Sequence, residues 1–287
     1  MGDAIQWWCA ATGLPWDWEW QWYPGVHLFL LLVAGGWYWL GTHHGWSRRP
    51  WGWFAVAWIA LVATLDWPLG KLGAGYLATA HTIQFLLLTL VVGSTLVKAI
   101  PADGWLTLLP SGTRRHAFAR FQARALPGLL LYNVIVVSTH FPNVVDPLMA
   151  TQLGSAAIDI AWMLGGMVLW WPLLAPAPFR RLGMFPKMGY LFGATIVPTI
   201  PAMMMVFSEW PLYEIYELAP RVWVTFSANE DIQLAGLVMK VIGDIPLWVA
   251  AAIVFFVESG RAEHDTTAQA AARGAAPAPA RDGGRES

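Results

Sequence analysis

Cysteine is nearly absent: Cys9 is the only one in 287 residues. That excludes an internal disulfide and any multi-cysteine metal site. Charge is also scarce, at 12% of residues against about 25% in an ordinary soluble domain. No phosphate-cradling glycine loop, nucleophile elbow or H-E-x-x-H zinc motif occurs, so no catalytic residue and no enzyme activity are expected. The few basic residues are spread over loops instead of forming a stripe, which gives no support to nucleic-acid binding. No internal repeat is evident, and this weighs against an inverted-repeat transporter. Positions 1–24 lack a basic start and are broken by Pro15, Asp17 and Glu19, so no cleaved leader is expected.

What the chain has in excess is apolar surface, with 57% hydrophobic residues arranged in long runs. The pattern predicts an all-α polytopic membrane protein, a seven-transmembrane-helix bundle. The spans are expected at about 26–42, 51–65, 76–97, 126–139, 155–174, 188–207 and 231–257. Residues 1–25, with Trp7, Trp8, Trp16, Trp18, Trp20, Trp22 and Tyr23, read as an interfacial arm lying on the bilayer surface. Residues 26–257 form the membrane domain. The loop 99–125 carries Arg114, Arg115, His116, Arg120 and Arg124 and suits a partly amphipathic surface helix. Pro198 and Pro201 should kink the sixth span. Residues 258–287, rich in Ala, Gly, Pro and charge, are expected to be disordered.

Of the 17 lysines and arginines, only Lys71 and Arg221 fall on one side of this topology, with Lys240 inside a span. The rest fall on the other side. The positive-inside rule then puts the N-terminus outside and the C-terminus in the cytoplasm.

Under that orientation the unusual polar residues converge. Asp66, His81, His140, Asp146, Asp159, the Met203–Met205 triplet, Asp231 and Gln233 all reach the outer face or lie just inside it. A histidine in a lipid-facing segment is costly unless it faces protein, so His81 and His140 are functional candidates. His81 and Gln84 lie three residues apart and share a helix face, which position 85 joins. Imidazole with thioether suits copper, Cu(I) above all, with Met204 or Met203 as the candidate sulfur. The alternative for the triplet is plain packing. Lys240 and Asp244, at i and i+4, fit an ion pair that fixes helix packing; the alternative is a proton path. His43 and His44, beside Arg48 and Arg49, fit an interfacial loop better than a metal site.

Several blocks together resemble the CtaG-type cytochrome c oxidase assembly factors, over about residues 50–257. Ala80-His81-Thr82-Ile83-Gln84-Phe85 is similar to that family's H-M-x-Q-H helix. Thr139-His140-Phe141-Pro142, followed by Asp146, resembles its H-x-P segment, and Trp170-Trp171-Pro172-Leu173 its W-W-P-L ending. Asp231-Ile232-Gln233-Leu234-Ala235-Gly236-Leu237-Val238-Met239 resembles its D-Q-Q-L-A-G-L-x-M block. The resemblance implies a multi-pass protein of the bacterial plasma membrane that helps mature a haem-copper oxidase and handles copper at the outer face. It further implies oxidase subunits and a periplasmic copper donor as partners, with the lipid bilayer around it. His81 and His140 carry over onto motif histidines, and Asp231 and Met239 onto their block. Phe85 stands in place of the motif's second histidine and Thr82 in place of its methionine. Asp159 lies where the family often has a further histidine. The expected metal set is therefore His81, His140, Met204, Asp159 and Asp231. The competing readings are a copper or small-solute transporter and a metal-free scaffold subunit of a respiratory complex.

Overall fold

A computed structural model describes residues 5–274 except Arg48 and Arg181, with side chains through Arg261. Arg48 and Arg181 of the basic count, and residues 275–287 of the expected tail, lie outside the described residues. The described chain is helical, with no strand. In order come α1 (Pro24–His43), α2 (Trp51–Leu65), α3 (Leu69–Gly75) and α4 (Ala78–Leu86). A π-helical turn, Leu87–Val92, joins α4 to α5 (Gly93–Ala99). After these follow α6 (Ala102–Leu108), α7 (Arg114–Gln122), α8 (Ala125–Ser138), α9 (Pro142–Met149) and α10 (Gln152–Leu174). The chain continues with α11 (Met184–Ile196), α12 (Thr199–Val206), the one-turn α13 (Glu214–Glu217) and the long α14 (Ala228–Gly274).

Five of these helical stretches are long and apolar enough to cross a membrane: Pro24–His43, Ala78–Ala99, Gln152–Leu174, Met184–Val206 and Ala228–Arg261. The count rises to seven if each of two bent pairs is one span. One pair is α2 with α3, bent by 48°, and the other α7 with α8, bent by 90°. The first bend falls at Asp66-Trp67-Pro68, because a proline disfavours helix in the residue before it. The segment 66–75, between the second and third expected spans, is mostly the short helix α3.

The bundle is built around α10, which packs on α4, α5, α8, α9 and the π turn. α14 closes the other side against α4, α11 and α12. Two local devices set the α4–α5 line against α10. The hydroxyl of Thr89 bonds back to the Phe85 carbonyl, and the carbonyl of Thr89 accepts from Trp170 Nε1 at 3.1 Å. Both draw groups out of the regular i to i−4 ladder, which is where the π turn sits. Below it Gly93 meets Gly166. A Cβ on Gly93 would lie 2.4 Å from the Gly166 carbonyl carbon, and one on Gly166 would lie 2.5 Å from the Thr89 carbonyl oxygen. Only residues without side chains let these backbones approach so closely. Gly166→Ala is therefore expected to cost at the upper end of about 1–3 kcal/mol by overpacking. Gly165→Ala, whose Cβ would meet only the Ile135 side chain at 3.2 Å, should cost far less. Thermal unfolding of the two detergent-purified variants checks this, and equal melting temperatures would refute it.

The structure departs from the sequence reading at both ends. Over its described residues, 5–25, the N-terminal arm does not simply lie on a surface. Trp18, Trp20 and Trp22 are exposed, but Trp8, Cys9 and Tyr23 are buried in the main core. Gln152 Oε1 accepts the backbone N–H groups of Trp7 and Trp8 at 2.7 and 3.1 Å, which draws the arm across the end of α10. Burial, and after it the negative potential of Asp159, hold the Cys9 thiol well above its usual pKa. It is therefore a protonated packing group, not a thiolate. At the other end, α14 continues to Gly274, so 258–274 is helical where disorder was expected. The Ala, Glu, Gln and Arg content of that stretch favours helix even without a face to bury.

Candidate functional site

His81 and His140, 59 positions apart in sequence, line one enclosed cavity of about 20 Å³. That is room for one water molecule or ion. α4 supplies His81, the turn after α8 supplies His140, α10 supplies Trp162 and α12 supplies Met205. The segment around α13 supplies Tyr213 and Tyr216.

Each histidine is held by one ring nitrogen, and the network assigns the proton to Nδ1 in both. Gln84 Nε2 donates to the Thr64 carbonyl at 2.8 Å, which turns its Oε1 toward His81 Nδ1 at 3.3 Å. An amide oxygen only accepts, so His81 Nδ1 donates. His140 Nδ1 donates to the Val136 carbonyl at 2.7 Å. Both Nε2 atoms thus keep a lone pair. His81 Nε2 is fully buried and has no hydrogen-bond partner. An unsatisfied buried polar atom costs about 1–3 kcal/mol, so its presence calls for a ligand or water.

The surrounding side chains fix this arrangement. The Trp162 ring lies 4.5 Å from that of His81 and 5.6 Å from that of His140, stacked on the latter at 29°. Its Nε1 donates to Thr139 Oγ1 at 2.8 Å. Phe85 packs edge-on to His140 at 4.8 Å. The outer wall is tyrosine: Tyr213 donates to the His140 carbonyl at 2.8 Å and Tyr216 to the Gly73 carbonyl at 2.7 Å. Burial, and then Asp146 for Tyr213 and Asp231 for Tyr216, push both phenols above their ordinary pKa, so they stay donors. Beyond them lies an open groove of about 540 Å³ with Asp146, Glu214 and Leu218 on its walls. The single turn of α13 thus separates the groove from the histidine cavity.

The other expected ligands are placed elsewhere. Asp159 is buried and accepts from Trp8 Nε1 at 2.9 Å. Asp231 is fully buried. Its carboxylate accepts the N–H groups of Ala78 at 2.6 Å and Thr79 at 3.1 Å, and so caps the helix that carries His81. Met204 points outward and is 39% exposed, whereas its neighbour Met205 is 2% exposed and lines the cavity. Met239 lines a second cavity of about 20 Å³ with Phe85, Thr89, Tyr132 and Asp244. Among the described residues no three His, Cys, Asp or Glu side chains come together as a metal site. What converges is two imidazoles and one thioether. Lys240 bonds both Asp244 and Thr199 at 2.7 Å, a mutually satisfied set across α14 and α12 that fits a packing role.

Sequence reasoning missed Trp162, Thr139, Met205, Tyr213 and Tyr216. The triplet marked Met205 as a member of a group but not as the inward one. Nothing in the sequence singles out the two tyrosines, which sit in the segment between the sixth and seventh expected spans.

A family model described as cytochrome c oxidase caa3 assembly factor matches residues 28–258, most of the chain. No curated protein and no solved structure matches it.

Proposed function

Because the chain belongs to the cytochrome c oxidase caa3 assembly factor family, we propose that it serves oxidase assembly by holding copper between His81, His140 and Met205. The family assignment supplies the assembly role. The observation that supports copper is the buried, unpartnered Nε2 of His81 in a cavity shared with a second histidine and a thioether. Two neutral imidazoles and a methionine sulfur suit Cu(I), a soft ion content with few ligands. The cavity holds one ion at most, and the tyrosine wall keeps bulk water from it. Copper is cargo in this reading, and no reaction is catalysed. The protein sits in a bacterial plasma membrane with the cavity near the outer face. It receives copper from a periplasmic donor through the acidic groove past α13 and delivers it to oxidase subunits.

Purified protein loaded anaerobically with Cu(I) is expected to hold one copper per chain, and His81→Ala and His140→Ala to hold little. Equal copper in all three proteins sinks the site. Cytochrome spectra of a deletion strain test the assembly role separately: loss of the oxidase haem bands is expected, and an unchanged spectrum removes that role whatever the metal content.

A further inference from the structure

At the far end of α2 from Asp66, an open groove of about 910 Å³ runs between the start of α2 and the end of α5. Arg49 and Lys98 are its charged lining residues, and no carboxylate lines it. Neither cation has an acidic partner among the described residues. Lys98 Nζ is instead parked 4.1 Å over the ring of Trp53. Arg49 lies 5.4 Å over Tyr38. Asp103, on neighbouring α6, is taken up by the backbone N–H groups of Ser47 and Gly104. Pro50 gives α2 no side-chain cap, so the first turn adds the positive end of a helix to the two cations.

The frame of this groove is stiff. Trp37 on α1 stacks on Phe54 at 4.2 Å, meets Trp51 edge-on at 4.7 Å, and donates from Nε1 to the Ala99 carbonyl at 2.7 Å. One tryptophan thus ties α1, α2 and α5 together beneath the cations. The outer wall is apolar and open, with Trp51, Trp53 and Val56 each about half exposed.

We propose that this groove binds the headgroup of an anionic phospholipid. It lies at the ends of apolar helices, where headgroup phosphates of a bilayer sit and tryptophan prefers to be. Its cations lack carboxylate partners, so a phosphate has no internal competitor. Trp51, Trp53 and Val56 continue the site along the helix as a rail for an acyl chain, which a free phosphate ion would leave unused. Basic residues near a membrane surface favour anionic over zwitterionic lipid, and two of them converge here.

The test uses full-length protein in detergent, with retained lipid read by native mass spectrometry. Phosphatidylglycerol is expected to be retained about thirtyfold over phosphatidylcholine, from two cations at the membrane surface. Arg49→Gln with Lys98→Gln should erase the preference, while Arg49→Lys with Lys98→Arg, and Arg114→Gln with Arg115→Gln, should keep it. If the double glutamine variant does not fold, Lys98→Gln alone, at an exposed position, should still lower the preference several-fold. Three outcomes overturn the site: no preference in the unaltered protein, a preference that survives loss of both charges, or displacement of phosphatidylglycerol by millimolar inorganic phosphate.

Discussion

Phe85→His is expected to tighten Cu(I) binding at least about tenfold, or ~1.4 kcal/mol. Position 85 is one turn on from His81 along α4, so the two share a face. The Phe85 ring already lies 4.8 Å from His140 and 5.2 Å from Trp162. An imidazole there adds a third nitrogen to a set of two, at the position where the family motif this helix resembles has a histidine. The same change should weaken the copper-free protein. Phe85 is 2% exposed, and a polar ring in that place carries buried nitrogens with no partner, at about 1–3 kcal/mol. Copper held by the folded state adds its binding energy to stability, so under the copper proposal loading should restore or exceed the original stability. Competition with a chelator of known Cu(I) affinity reads the first effect, and melting with and without copper the second. Unchanged affinity together with a lower melting point in both conditions would mean that the ion does not sit between positions 81, 85 and 140.

The membrane helices were legible because each long apolar run carries its own signal. His81 and His140 were legible for the same reason, since a lone imidazole in such a run stands out. Which methionine of the triplet faces inward was not legible, for a physical reason. α11 ends at Ile196 and α12 starts at Thr199, after Pro198, so counting along one uninterrupted helix does not tell Met204 from Met205. Asp159 was read as a ligand because it lies where the resembled family often has a further histidine. Its partner is Trp8, 151 positions away in an arm that composition placed on the surface. Aromatic density alone cannot separate tryptophans that float in headgroups from those that plug a bundle. The tyrosine wall was invisible because its geometry comes from tertiary bonds to two carbonyls, at His140 and Gly73, and no local pattern encodes them.

Asp231→Ala should destabilise the protein by about 3 kcal/mol. The side chain does for α4 what that helix cannot do for itself. Its N-cap is Leu77, with no side-chain hydrogen bond of its own. The carboxylate of Asp231 fills that role from α14, 153 positions away, by accepting the N–H groups of Ala78 and Thr79. Thr79 Oγ1 in turn donates to the Asp231 carbonyl at 3.0 Å. Removing the carboxylate leaves two amides without their acceptor, at least one of them buried, each costing about 1–3 kcal/mol. It also removes a negative charge from the positive end of a helix. Asp231→Asn keeps one acceptor oxygen and the shape, so its loss should be roughly half as large. The effect on copper separates this role from ligation. A capping residue that is lost but tolerated leaves one Cu(I) per folded chain, because His81 is still carried by α4 and still held by Gln84. A ligand that is lost removes the metal. Copper counted per folded chain, after aggregated protein is removed, distinguishes the two: full occupancy in Asp231→Asn supports the cap, and an empty site in a protein that melts normally would return Asp231 to the metal set.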